Sequence, residues 1–377
     1  MENKKNEIVN GILIVVLCLF SAVIGGIMAR PTIVTNTIGV VTSDTITGGM
    51  TGGSVEQTVY ENISNTVVEI TNTSSAGGGS GSGVMFAADN NSDASLNKYT
   101  YIITNHHVIE SATKLVVRLK SGDEFKAKLV GSDSKTDIAV IKIEKTGLSL
   151  ATVGDSTKLK VGDVAIAVGN PLGTLGGTVT QGIISAIDRD MTIEGLDMTL
   201  IQTDAAVSPG NSGGGLFSAD GKLIGVVNAK SSGSGVEGIG FAIPTVKAME
   251  IAEELMTTCS STNFGYVTGR YVLGLTIAQL SEIESALYGG DKEGVYVYGK
   301  QKGGDAENSD IVVGDRVVSI NGTAVTTMDE AKAVLDNVKV GDTLTFVVSR
   351  YNKTTTNYDQ KTVTINVTQH IYSLDLE

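Results

Sequence analysis

The 377-residue chain carries 28 Lys and Arg against 41 Asp and Glu, a formal charge of −13. With no cluster of basic side chains, this balance excludes a nucleic-acid binder, because phosphate contacts need grouped Lys and Arg. Two cysteines, Cys18 and Cys259, rule out a disulfide framework, while 46 glycines, no tryptophan and recurrent short Val/Ile/Thr runs point to β structure in a chain long enough for two domains.

Residues 11–29, "GILIVVLCLFSAVIGGIMA", hold no charge, and such a run approaches the roughly 20 residues that cross a bilayer as a helix. Lys4 and Lys5 precede it and Arg30-Pro31 end it. This predicts a cytoplasmic stretch 1–10, a transmembrane anchor 11–29 and export of everything beyond, although Arg30 weakens the charge asymmetry. A cleaved signal peptide is the alternative; Ile27 stands where the small-x-small cleavage pattern needs a small residue, so a retained anchor is preferred. Leu17 before Cys18 speaks against a lipidated cysteine. The Thr/Gly-rich residues 30–55 are expected to form a flexible linker.

From "VEQTVYENISNTVVEI", read as a helix running into a strand, to about residue 245, short β-type runs alternate with turns: "YTYIITNHHVI", "KLVVRLKSG", "EFKAKLVGSD", "DIAVIKIE", "DVAIAVGNP", "GTVTQGIISAID", "TLIQTDA", "KLIGVVNA" and "GIGFAIP". Without helices between them, such strands favour an antiparallel barrel or sandwich. "TVKAMEIAEELMTT" (245–258) reads as a closing helix with Val246, Met249, Ile251, Ala252 and Leu255 on its apolar face. This sets a first domain at 56–258. After the polar "CSSTNFG", a second β-rich block, 262–370, contains two helical patterns, "AQLSEIESAL" and "MDEAKAVLDNV". In the second, Thr327 and Glu330 have capping-box spacing and Ala331, Val334, Leu335 and Val338 share a face.

Chemistry concentrates in "TDAAVSPGNSGGGLF" (203–217), where glycines frame Asn211-Ser212. Glycine permits close approach and positive φ, so backbone N–H groups can converge beside the Ser212 hydroxyl, as an acyl-transfer site requires. A serine needs an adjacent base, and the three histidines are His106, His107 and His370. The pair follows a β-type run in "IITNHHVIE"; in an extended chain neighbours face opposite ways, so only one of them can meet Ser212. Asp137, just before the apolar "IAVIKI", is the candidate to orient the imidazole. The order His…Asp…Ser is that of chymotrypsin-type double barrels. No metal-ligand cluster or nucleotide loop is visible, and no cofactor is expected.

The successive motifs "TNHHV", "DSKTDIAVIKI", "AVGNPLG", "TVTQGIIS", "IQTDAAVSPGNSGG" and "GIGFAIP" resemble those of the HtrA (DegP-like) serine proteases, over about residues 56–250. The resemblance implies a mainly β fold: a chymotrypsin-like double β-barrel followed by a smaller PDZ-like α+β domain. It implies His107 (the histidine directly before Val108) as general base, Asp137 as its partner, Ser212 as nucleophile, and an oxyanion hole from Gly210 and Ser212 with Asn211 between them. It further implies a specificity pocket at Val207, Ala229 and Lys230 suited to small or medium aliphatic side chains. In the PDZ-like block, where "GDRVVSINGTAV" carries the likeness, a peptide-carboxylate loop is implied at Val272, Leu273, Gly274 and Leu275 with Arg270 nearby. "KGGDAENSDIVVGD" departs from the common PDZ pattern. The expected protein is a membrane-anchored, extracytoplasmic, homotrimeric, ATP-independent endopeptidase of misfolded proteins that also binds peptide C-termini. A catalytically silent chaperone or PDZ scaffold is the rival reading.

Overall fold

The computed structural model describes residues 38–40, 55–75, 77–169, 177–193, 196–208, 210–229, 238–287 and 289–376. The expected anchor at 11–29 lies outside them, and among the described residues no helix is long and apolar enough to cross a membrane. Within the expected linker, a strand β1 (Ile38–Val40) pairs antiparallel with residues 87–89, so that stretch is not wholly structureless.

Helix α1 (Val55–Ser64) leads into the first barrel. Its strands are β2 (Val67–Ser74), β3 (Gly77–Asp89), β4 (Thr100–Thr104), β5 (Lys114–Arg118), β6 (Glu124–Asp133) and β7 (Ile138–Ile143). They pair in the order β3-β2-β5-β6-β7-β4, and β4 returns to β3 to close the ring. The second barrel uses β8 (Val164–Gly169), β9 (Thr178–Ile193), β10 (Leu196–Thr203), β11 (Gly215–Ser218), β12 (Leu223–Val227) and β13 (Gly240–Pro244), closed in the order β10-β13-β12-β11-β8-β9. Closure pairs every strand on both sides and so removes exposed sheet edges.

Strand alternation sends one set of side chains inward and the other toward the neighbouring barrel. Ile70, Ile102, Leu129 and Ile141 fill the first barrel; Ala165, Ile184, Leu216 and Val227 fill the second. Between the barrels, Phe86, Ile103, Val140, Val168, Phe217 and Phe241 form a third core. Each large apolar side chain buried there contributes about 1.5–3 kcal/mol. Helix α3 (Thr245–Thr258) seals that core through Ala248, Ile251, Ala252 and Leu255. Val246, expected on its apolar face, is 47% exposed, and Ala248 takes the place one turn before Ala252.

The second domain is a sheet ordered β14 (Leu275–Leu280), β15 (Gly294–Lys300), β16 (Arg316–Ile320), β18 (Thr343–Asn352), β19 (Asn357–Asn366), with the two-residue β17 (Thr323–Ala324) on β16. The first helical pattern there is shorter than its periodicity implied. Residues 278–280 complete β14, and α4 runs only from Glu282 to Leu287, with Ile283 and Leu287 exposed. Helix α5 (Met328–Leu335) has the expected capping box: Thr327 Oγ1 accepts from Glu330 N–H, and Glu330 Oε2 from Thr327 N–H. Beyond β19 the chain returns to the first barrel, where Leu374 is buried in the barrel's own core.

Candidate active site

Asp137 and the two histidines meet at the barrel junction through a short helical turn, α2 (His106–Ile109), entered from β4 through the fully buried Asn105. The sequence implied an extended run here. In a helix successive side chains diverge by about 100°, so the two imidazoles still separate. Asp137 sits at φ +55° immediately before β7, a conformation that Asp and Asn tolerate better than other non-glycine residues. Its carbonyl accepts from His106 N–H (3.2 Å) and from Asn105 Nδ2 (3.0 Å). That pair of bonds pins the turn to the strand before any catalytic side chain is considered.

On this frame Asp137 grips His107 twice. Oδ2 accepts from Nδ1 at 2.7 Å and Oδ1 accepts from the backbone N–H at 3.0 Å. With Nδ1 protonated toward the carboxylate, Nε2 is left as the lone-pair nitrogen, which is the form a general base needs. A third donor, Nδ2 of the buried Asn228 at the end of β12, reaches Asp137 Oδ2 at 3.0 Å from the second barrel. Sequence reasoning passed over Asn228 although it adjoins Ala229.

The neighbouring imidazole has a different environment. His106 is buried, its Nδ1 is 2.8 Å from Ser132 Oγ, and its ring meets that of Tyr372 edge-on at 4.6 Å. Burial pushes its pKa down, because the charged form would lose its hydration. It is a neutral packing residue of the first barrel.

Ser212 lies 7% exposed on the second barrel's side, and its Oγ accepts from Ala229 N–H at 3.3 Å. Its loop is clamped from the first barrel: Ser82 N–H donates to Ser212 O (2.8 Å) and Ser82 Oγ–H to Gly210 O (2.6 Å). Asn211 N–H is spent on Ser208 O at 2.9 Å, so Gly210 and Ser212 remain the candidate oxyanion donors. Asn211 O accepts from Gly214 N–H at 2.9 Å, so the Ser212 N–H across the same trans peptide points the opposite way. Gly213 is required here. It has φ +81°, and a Cβ would stand 2.2 Å from Ser82 O and from Thr104 Oγ1.

Of the residues expected to line a pocket, Val207 packs over Gly240 at the start of β13, and Ala229 N–H donates to Ser212 Oγ. Lys230 lies outside the described residues. In the second domain, Gly274 has φ +69°, and the carbonyls of Val272, Leu273 and Gly274 accept from the N–H groups of Asp305, Ala306 and Gln301. The loop's carbonyls are thereby turned away from its β14 side. Leu273 and Leu275 pack with Val334, Leu335 and Val338 around the core of that domain. Arg270, expected near this loop, has its Nε 3.3 Å from Asp133 Oδ1 on the first barrel, an interdomain ion pair without hydrogen-bond alignment. Among the described residues no group of three or more His, Cys, Asp and Glu could hold a metal ion.

Residues 81–226 match the trypsin-like peptidase domain family and residues 272–368 the PDZ domain family. The chain is 39% identical over 301 residues to serine protease Do-like HtrA and 40% identical over 317 residues to serine protease Do-like HtrB, both from Bacillus subtilis (strain 168). These matches cover 75% and 78% of this chain and 64% and 66% of the relatives, so the chain spans about two thirds of their length. The periplasmic pH-dependent serine endoprotease DegQ of Escherichia coli (strain K12) is 38% identical over 267 residues, 70% of this chain and 55% of DegQ. Among solved structures, a variant of the HtrA-type protease AlgW with tripeptide superposes with a TM-score of 0.51 at 32% identity, covering 84% of this chain and 97% of that one.

Proposed function

Because the chain belongs to the HtrA family of serine proteases, we propose that it is a membrane-anchored, ATP-independent endopeptidase that cleaves misfolded exported proteins. The observation that carries this reading is the twofold grip of Asp137 on His107, together with a serine held in a glycine-framed turn that Ser82 of the first barrel clamps. In the reaction Ser212 Oγ attacks the scissile carbonyl carbon while His107 Nε2 takes its proton. Asp137 accepts from Nδ1–H throughout and stabilises the imidazolium. The N–H groups of Gly210 and Ser212 receive the charge that develops on the carbonyl oxygen. His107 then protonates the leaving amine, and water repeats the sequence to release the acyl group.

Labelling with a membrane-impermeant fluorophosphonate tests chemistry and topology together. Intact protoplasts expressing the chain should show Ser212 labelled without lysis, the label should sediment with membranes, and labelling should stop casein cleavage. Casein cleavage that persists after full labelling would overturn Ser212 as the nucleophile, and no labelling or cleavage even after lysis would overturn the protease reading and leave the silent scaffold. Labelling only after lysis would overturn the export half alone.

The PDZ domain is proposed to select substrates by their free, apolar C-termini. β14 is an edge strand, and the loop before it carries a glycine bend whose carbonyls are already bonded elsewhere. A peptide can therefore add beside β14, its carboxylate facing the loop's N–H groups and its side chains meeting Val334, Leu335 and Val338 of the α5 region. A peptide ending in free valine should bind the purified chain at least tenfold more tightly than its C-terminal amide in a fluorescence titration. Equal affinity for acid and amide would remove carboxylate capture and leave the triad untouched.

A further inference from the structure

After β19, Val367 and Thr368 stay with the second domain, and the chain then leaves it. Gln369 and His370 bond the segment that joins the domains: Gln369 Oε1 accepts from Gly269 N–H, Gln369 Nε2 donates to Val267 O, and His370 N–H donates to Arg270 O at 2.8 Å. From there the chain crosses to the first barrel, where Leu374 joins the core of Val108, Ile109 and Leu115, with Tyr372 and Leu376 packed beside it.

Tyr372 is the residue of this crossing that touches catalytic geometry. Its ring stands edge-on to His106 at 4.6 Å, just before His107, and its hydroxyl accepts from Ser111 N–H at 3.1 Å, four residues after His107. It thus holds both flanks of α2, the four-residue turn on which His107 is mounted. A single helical turn has little hydrogen bonding of its own. Other ties on this one are Asn72 Nδ2 to Val108 O at 2.6 Å, the contact of His106 Nδ1 with Ser132 Oγ at 2.8 Å and the bonds to Asp137 already described. Asn72, Ser132 and Asp137 hold the turn from the barrel side, and Tyr372 holds it from outside.

We propose that Tyr372 is a positioning residue for the general base, so that a segment following the PDZ domain completes the protease active site. The inference rests on the reading of His107 as that base. Tyr372 touches no reacting atom; it fixes the turn on which His107 is mounted. Because the bond from His370 N–H to Arg270 O ties the same segment to the linker joining the domains, the PDZ domain and the base share one support.

Misplacing a reacting group by about 1 Å costs on the order of 10²-fold in rate. In the full-length protein, Tyr372→Ala should therefore lower kcat toward a small peptide substrate by about 10–10²-fold while KM changes less than twofold. Tyr372→Phe keeps the ring against His106 and loses only the Ser111 bond, so it should restore most of the loss. The chain has three histidines, so ring-¹⁵N-labelled histidine NMR can follow His107 separately. Its Nδ1 signal should shift in Tyr372→Ala and by a smaller amount in Tyr372→Phe. Unchanged kcat in a folded Tyr372→Ala protein would overturn the proposal, as would a kcat loss with the His107 signal unmoved. Should Tyr372→Ala fail to fold, Tyr372→Phe decides: a moved His107 signal supports the role and an unmoved one sinks it. Failure of the protease reading itself would look different, since the parent would then cleave nothing while the NMR still reported on Tyr372.

Discussion

His107→Ala and Ser212→Ala should each lower kcat by about 10⁶, and the double variant should be no slower, because nucleophile and base act as one unit. His106→Ala should lose about 10²-fold at most, since its ring acts on the turn and not on substrate. The two histidines are adjacent, yet their surroundings assign them opposite tasks. His107 has both its backbone N–H and Nδ1 on the Asp137 carboxylate. His106 has Nδ1 on Ser132, its ring edge on Tyr372 and its N–H on the Asp137 carbonyl. A base must alternate between neutral and charged forms each turnover, and burial without a carboxylate partner makes His106 poorly suited to that. Steady-state kinetics with a peptide substrate check the ranking. Greater loss from His106→Ala than from His107→Ala would overturn the assignment.

The pairing of His107 with Asp137 was legible because each sits in a distinctive local string and, with Ser212, they occur in the order of a double barrel. What escaped reading was built by contacts between distant parts of the chain. Asn228 bonds Asp137 across 91 positions, and no local pattern marks an asparagine at a strand end as a carboxylate partner. Strand β3 was missed because "GGGSGSG" reads as loop. Its glycines answer to packing instead: a Cβ on Gly81 would lie 2.7 Å from the Val108 methyls, and one on Gly83 would lie 2.5 Å from Ile102 Cγ2. Ser82, between them, is the clamp on the nucleophile loop. The helical turn under the histidines was read as extended because the run before it is β-type and four residues show no period. Arg270 was placed near the peptide loop by proximity in sequence, which says nothing of its ion pair with Asp133. Capping, by contrast, is local chemistry, and the Thr327–Glu330 box was readable for that reason.

Asp137→Asn is expected to leave the fold in place and lower kcat by about 10⁴, with KM little changed. Asparagine tolerates the φ of +55° found at this position nearly as well as aspartate, so backbone strain does not confound the experiment. The hydrogen bonding does the damage. The carboxylate accepts three donors: His107 Nδ1–H and Asn228 Nδ2–H on Oδ2, and His107 N–H on Oδ1. An amide offers acceptor capacity at one end only. With its oxygen toward His107 Nδ1, its NH₂ opposes the His107 backbone N–H. With its NH₂ toward Nδ1, it opposes the Asn228 amide and forces the imidazole to carry its proton on Nε2, where it cannot accept one from Ser212. Either orientation leaves two donors facing each other at a buried site, which costs about 1–3 kcal/mol of stability, and the second also selects the wrong tautomer. Kinetics together with thermal unfolding separate the two effects. A kcat loss below tenfold in the folded variant would mean that Asp137 does not set the state of His107.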